Sequence, residues 1–153
     1  MRNQMLIIGS KGGVGKECVE YFSMIYEVIT ISRDEGDLRD KDFLRTLVDK
    51  YNPSVVLNCA GVYEKGFYET FESNFLSASF LTLEFYKKME SGHIINICSS
   101  SANSSGWKGI DYGRITYNVS KSSLKKFSNM LQSSKNKSVK VTTLEPAQIN
   151  TKM

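Results

Sequence analysis

The sequence predicts an α/β fold: a doubly wound parallel sheet in a three-layer α/β/α sandwich. Three observations carry this expectation. Short, nearly continuous apolar runs of strand length recur along the chain, as expected of strands buried on both faces. Segments with apolar residues at helical spacing separate them, which implies crossover helices and right-handed βαβ connections. Residues with chemical or conformational roles follow the apolar runs, where ligands bind in such sheets.

The elements can be justified in order. Met5 to Ile8 is apolar, of strand length, and stops at Gly9. Val14, Cys18 and Phe22, with Val19 beside them, recur at helical spacing. Val28 to Ile31 is a second strand, followed by the turn-like cluster Asp34-Glu35-Gly36-Asp37. Phe43, Leu44, Leu47 and Val48 form a helical stripe that must end before Pro53, because a residue preceding proline avoids the α region. Ser54 to Leu57 is a third apolar strand. Phe71 through Met89 reads as one long helix carrying Phe75, Leu76, Phe80 and Leu83. Ile94 to Ile97 is a strand. Thr116 to Ser133 is a helix with Leu124, Phe127, Met130 and Leu131 on one side, and Val139 to Leu144 is the last strand.

Composition narrows the function classes. The chain has 153 residues, suited to one domain over residues 1–153, with 41% hydrophobic and 24% charged residues. That apolar content argues against disorder. No apolar run approaches the roughly 18 residues of a membrane span. The amino-terminal segment lacks the long apolar core of a signal peptide. The net charge is +4, but the basic residues are scattered with no interleaved aromatic stripe, so no nucleic-acid partner is expected. Cys18, Cys59 and Cys98 are odd in number and widely spaced, which reads as reduced thiols in a cytoplasmic protein. A single histidine, His93, excludes a His-rich zinc site, and no metal is expected.

Gly9-Ser10-Lys11-Gly12-Gly13-Val14-Gly15-Lys16-Glu17 follows the first strand and opens the first helix. Glycines there let backbone N–H groups approach a phosphate at a helix amino terminus. Lys11 to Lys16 resembles the variant Walker A loop of partition-type ATPases. However, a P-loop needs Ser or Thr after its lysine, and this chain has Glu17. The alternative is G-x-x-x-G-x-G, formed by Gly9, Gly13 and Gly15.

That second pattern resembles the dinucleotide loop of the short-chain dehydrogenase/reductase family, and later segments agree. Asn58-Cys59-Ala60-Gly61 resembles the family's N-N-A-G, with Cys59 in place of the second asparagine, as in relatives that act on nucleotide sugars. Pro146-Ala147-Gln148-Ile149-Asn150-Thr151 resembles P-G-x-V-x-T, with Ala147 replacing glycine. A bare Y-x-x-x-K means little in a chain with eight tyrosines. Tyr117-Asn118-Val119-Ser120-Lys121 gains specificity from its place, early in the helix after the strand ending Ile97-Cys98-Ser99. The resemblance implies a Rossmann-like fold. It also implies an oxidoreductase that moves hydride between a nicotinamide and a carbonyl or alcohol carbon.

The resemblance implies cofactor contacts at Gly9, Ser10, Gly13, Val14, Gly15, Ser32, Arg33, Asp37, Leu38, Asn58, Ala60, Gly61, Tyr117, Lys121, Pro146, Ile149 and Thr151. Ser32 stands where NAD-binding sites place an acid for the ribose hydroxyls, and the Arg33 guanidinium that follows can pair with a 2′-phosphate. NADP(H) is therefore expected over NAD(H).

Tyr117 and Lys121 are four residues apart and share a helix face. The Lys121 ammonium is expected to lower the Tyr117 pKa, making it an acid–base group. Family resemblance also gives Lys121 the nicotinamide ribose hydroxyls and Asn74 a proton-relay water. Aligning Asn96-Ile97-Cys98-Ser99 with the family's N-I-S-S makes Ser99 the serine that bonds the substrate oxygen. Ser100, Ser101 and Ser104 stay candidates, because the family's usual serine–tyrosine spacing counts back to near Ser104.

The resemblance spans Met5 to about Thr151. Relatives commonly continue into a substrate-covering loop, a helix and a last strand, so an abbreviated member is expected. Such a chain could be an enzyme, or a dinucleotide-binding module with little turnover. Expected partners are a small carbonyl or alcohol substrate, sugar-linked by resemblance, and further copies of the chain. Dimers or tetramers would form through the helices Phe71 to Met89 and Thr116 to Ser133.

Overall fold

The computed structural model describes residues 3–63, 65–103, 111–134 and 138–147. Its sheet contains β1 (Gln4–Ile8), β2 (Glu27–Ile31), β3 (Val55–Asn58), β4 (Ser91–Ile97) and β5 (Ser138–Leu144). All neighbours are parallel, in the order β2-β1-β3-β4-β5. The helices are α1 (Gly13–Phe22), α2 (Lys41–Lys50), α3 (Phe67–Phe71), α4 (Ser77–Lys88) and α5 (Tyr112–Ser133). No helix among the described residues is long and apolar enough to cross a membrane.

Strand alternation explains why the runs are apolar throughout. Leu6 and Ile8 join Val56, Ile94 and Val141 in a cluster with Leu44 and Leu47 of α2 and Leu81 and Phe85 of α4. Met5, Ile7 and Leu57 point the opposite way, against Cys18, Val19 and Phe22 of α1. Both faces are therefore apolar. The α2–α4 face is more completely buried, and among the described residues α1 is the helix on the other. That second face leaves Val55, Ile95 and Ile97 only partly buried.

Local chemistry sets the helix ends. Asp40 caps α2 by accepting from the Asp42 N–H at 2.9 Å and the Phe43 N–H at 3.4 Å. Tyr51 is already extended, so the helix ends before the residue that Pro53 bars from the α region. The Lys88 ammonium closes the other end of α2, donating to the carbonyls of Asp49 at 3.1 Å and Tyr51 at 2.9 Å.

Two departures from the expected elements matter. The helix expected from Phe71 starts at Phe67 and is interrupted by a π-helical turn over Glu72–Leu76. The Ser77 N–H reaches back to the Glu72 carbonyl, and the widened turn contains the fully buried Asn74. Helix α5 starts at Tyr112, four residues earlier than apolar periodicity indicated. Asp111 supplies the cap, accepting from the Arg114 N–H at 3.0 Å.

Buried polar groups tie the layers together beneath the strand ends. The Asn96 amide donates to Thr82 Oγ1 of α4 at 3.0 Å and to Ser128 Oγ of α5 at 2.9 Å. The Asn58 amide donates to Asn96 Oδ1 at 3.4 Å. Asn96, Thr82 and Ser128 are each no more than 1% exposed, so the groups must satisfy one another.

Candidate active site

The strand order reverses between β1 and β3, and in such sheets ligands bind at the carboxyl ends of the strands at that reversal. There the glycine loop folds against both neighbouring strands. The N–H groups of Gly9 and Ser10 donate to the Ile31 carbonyl of β2 at 2.8 and 3.1 Å. Gly9 adopts φ +80°, and a Cβ on it would lie 2.6 Å from the Ala60 nitrogen. A Cβ on Gly15 would lie 2.1 Å from the Gly9 carbonyl oxygen. Both positions therefore require glycine. Helix α1 begins at Gly13, with Gly12 as a cap that offers no side chain to the first-turn N–H groups. Gly13 and Val14 form that first turn. The Ser10 hydroxyl instead donates to Ile31 at 3.1 Å, bracing the loop from within. This uncapped, glycine-walled helix start fits the pyrophosphate of a dinucleotide.

Opposite the loop, the Cys59 N–H donates to the Ile8 carbonyl at 2.8 Å, and Asn58 Oδ1 accepts from the Ala60 N–H at 3.2 Å. Gly61 then passes close to Lys121: a Cβ there would lie 3.1 Å from Lys121 Nζ.

The end of β2 has a feature that its own residues do not announce. Ser32 stands where a carboxylate is usual, and the fold brings one to it from three residues downstream. Glu35 Oε2 accepts from the Ser32 N–H at 2.6 Å and from the Ser32 hydroxyl at 2.7 Å. Those bonds hold the Glu35 carboxyl below its ordinary pKa. Arg33 is exposed, and Lys11 of the glycine loop pairs with Asp34. Asp37 is gripped by Arg39, 2.7 Å away at the closest pair, which lowers its pKa to about 2. Leu38 packs on the core, and its carbonyl lies 2.6 Å from the Ser77 hydroxyl.

At the end of β4, helix α5 presents Tyr117 and Lys121. Tyr117 is half-buried beside Ser99, and the Tyr63 ring stands edge-on to it with centroids 5.2 Å apart. Lys121 is 4% exposed and donates from Nζ to the Ile97 carbonyl at 2.9 Å. The expected lowering of the Tyr117 pKa is not found. Burial raises the Tyr117 pKa, opposed only in part by the neighbouring Ser99. The Lys121 ammonium sits 6.0 Å from the tyrosine ring centroid and is bound to a strand carbonyl. Burial also lowers the pKa of Lys121 itself.

The serine candidates take different places. Ser99 lies beside Tyr117, and its hydroxyl is 2.7 Å from that of Ser101. The Ser100 N–H donates to the Pro146 carbonyl at 3.0 Å, joining Pro146 to the rim of the site. Ser104, Ile149 and Thr151 lie outside the described residues. Asn74 grips the Val62 backbone and donates to the buried Ser120 hydroxyl at 3.2 Å. Ser120 in turn donates to the Tyr117 carbonyl at 2.7 Å. Sequence reasoning missed Tyr63, Ser120 and Glu35. Ser120 could have been found as the residue beside Lys121 on the same helix. No periodic signal marks Tyr63 or Glu35, which lie in loops. His93 has a packing role, with Nε2 2.8 Å from Thr142 Oγ1.

The sheet order, the glycine cradle at the β1–β3 reversal and the covering helices define a Rossmann-like α/β protein. A family model for short chain dehydrogenases matches residues 35–153. The chain therefore belongs to the short-chain dehydrogenase/reductase family. Over 74 residues it is 31% identical to the dTDP-4-keto-6-deoxy-D-glucose reductase of Streptomyces niveus. That match covers 48% of this chain and only 26% of the curated relative. A short chain dehydrogenase from Burkholderia cenocepacia, solved in complex with NADP, superposes with a TM-score of 0.86 at 16% identity. That superposition covers 100% of this chain and 76% of the other. The aldohexose dehydrogenase of Thermoplasma acidophilum gives 0.81 at 20% identity, covering 98% and 68%.

Proposed function

We propose that the chain is a nicotinamide-dinucleotide-dependent oxidoreductase that interconverts a carbonyl and an alcohol, with Tyr117 as its acid–base group. The observation that carries this is the arrangement at the end of β4, where Tyr117 lies beside Ser99 and Lys121 Nζ donates to the Ile97 carbonyl and faces Gly61. Bound there, a nicotinamide would supply or accept a hydride. The protein's own groups do the rest. Tyr117 donates its phenolic proton to a carbonyl oxygen during reduction and recovers one from the alcohol in reverse. Burial favours the neutral phenol, the form that can donate this proton. The Ser99 hydroxyl orients Tyr117 and hydrogen-bonds the substrate oxygen as charge develops. Lys121 would hold the nicotinamide ribose hydroxyls, and Asn74 sets the loop facing them.

Arg33 and Lys11 support NADP(H) as the preferred cofactor, because both put guanidinium or ammonium charge at the β2 end. The likeness to a keto-sugar reductase supports a sugar-linked carbonyl substrate. Free thiols at Cys18, Cys59 and Cys98 support a reducing, cytoplasmic setting. A dimer is proposed through the face formed by the π-helical turn and α5, where Phe75, Val119, Phe127 and Met130 line a groove.

Calorimetric titration with NADPH and NADH, then NADPH oxidation against a panel of aldehydes, ketones and keto-sugars, tests the reading. Binding with turnover of at least one carbonyl class is expected. Binding without any turnover would leave a dinucleotide-binding module, and no binding would overturn the proposal.

A further inference from the structure

The end of β2 carries a built anion site that the protein fills with its own carboxylate. Ser32 is 7% exposed, and its N–H and hydroxyl converge on one oxygen, Glu35 Oε2, at 2.6 and 2.7 Å. Its hydroxyl oxygen also accepts from the Asp34 N–H at 3.2 Å, which fixes the direction of its proton. The donors are thus rigid and buried. The acceptor belongs to an exposed side chain on a turn, and it can leave by side-chain rotation. Two cations stand nearby in the sequence and the fold: Arg33, next to Ser32, and Lys11, paired with Asp34. The glycine loop is pinned to the same strand end, since Gly9 and Ser10 both donate to Ile31. In folds of this type the residues at this strand end read the 2′ position of the adenosine ribose.

Resting on the dinucleotide reading above, we infer that Glu35 is a specificity-determining residue that competes with the 2′-phosphate of NADP(H) for the two Ser32 donors. A 2′-phosphate and a carboxylate cannot share those donors without like-charge repulsion. NADP(H) must therefore expel Glu35, and part of its binding free energy is lost in doing so. A cofactor with a free 2′-hydroxyl leaves Glu35 in place, and its hydroxyl can donate to the carboxylate. Glu35 narrows the preference for NADP(H) that Arg33 and Lys11 create.

The test is direct binding, with no turnover needed. NADPH and NADH affinities are measured by calorimetry for the wild type, Glu35→Ala, Glu35→Gln and Ser32→Ala. Glu35→Ala should tighten NADPH by about tenfold while weakening NADH or leaving it unchanged. Glu35→Gln keeps the shape without the charge and should shift the ratio in the same direction by less. Ser32→Ala should weaken NADPH, because one of its donors is removed. An NADPH-to-NADH affinity ratio in Glu35→Ala equal to that of the wild type overturns this inference alone. Failure of every variant and the wild type to bind either cofactor overturns the dinucleotide reading and this inference with it.

Discussion

The Asn74 side chain holds both backbone polar groups of Val62: its Oδ1 accepts from the Val62 N–H at 2.7 Å, and its Nδ2 donates to the Val62 carbonyl at 2.9 Å. This amide acts as a strand-like partner for the loop after β3. It can do so because the π-helical turn places it inward, where it is fully buried. The loop it fixes carries Gly61 and Tyr63, which face Lys121 and Tyr117.

Asn74→Ala leaves the Val62 groups and the Ser120 hydroxyl without that amide. A cost of about 1–3 kcal/mol in stability is expected. Thermal unfolding measures it, and a melting temperature unchanged from the wild type would show that the clamp carries no stability.

Glycine substitutions should separate folding from binding. In Gly15→Ala the new Cβ meets the Gly9 backbone at 2.1 Å, which the loop cannot relieve, so a loss of about 2–3 kcal/mol is expected. In Gly61→Ala the nearest atoms are side-chain ends, Lys121 Nζ at 3.1 Å and Asn74 Oδ1 at 3.3 Å, which can shift. Stability should change by about 1 kcal/mol or less, while NADPH affinity falls as Lys121 is displaced. Equal destabilisation of the two variants in denaturant titrations would contradict this.

Burial lowers the Lys121 pKa below its ordinary 10.5. Between that lowered value and 10.5 the folded chain binds fewer protons than the unfolded chain. Stability therefore rises with pH across this window, and the full cost of the buried charge is felt below it. Lys121→Met removes the titration, so its unfolding free energy should depend less steeply on pH there. Identical slopes for variant and wild type would reject the assignment.

The groove between the π-helical turn and α5 predicts association. Val119 and Met130 are 48% and 64% exposed beside Phe75 and Phe127, whose rings meet edge-on at 6.5 Å. Light scattering should find the wild type dimeric or tetrameric and Met130→Glu shifted to monomer. A monomeric wild type removes the proposed interface.

The fold was legible because strand length, apolar continuity and helical spacing are local signals. Met5 to Ile8 and Ser54 to Leu57 announced buried strands, and Pro53 marked the end of α2. The glycine loop was legible because Gly9 and Gly15 answer to backbone geometry. The π-helical turn was not, since Phe75, Leu76 and Phe80 fit a regular helix as well. The Ser32–Glu35 contact was not legible for a different reason: it depends on the shape of the turn that follows β2. The Tyr117–Lys121 pairing was legible from its four-residue spacing. The direction of the pKa shift was not, because burial and the Ile97 carbonyl both come from other parts of the fold.

The central claim concerns Tyr117 and is tested most directly by comparing Tyr117→Phe with the wild type in two assays. These are NADPH affinity by calorimetry and NADPH oxidation with a carbonyl substrate found active for the wild type. The phenylalanine ring preserves the packing against Tyr63 and removes only the hydroxyl. NADPH affinity should stay within about threefold of the wild type, while oxidation should fall at least a hundredfold, on the order of what a positioned acid–base group contributes. Wild-type oxidation rates in Tyr117→Phe would contradict the account.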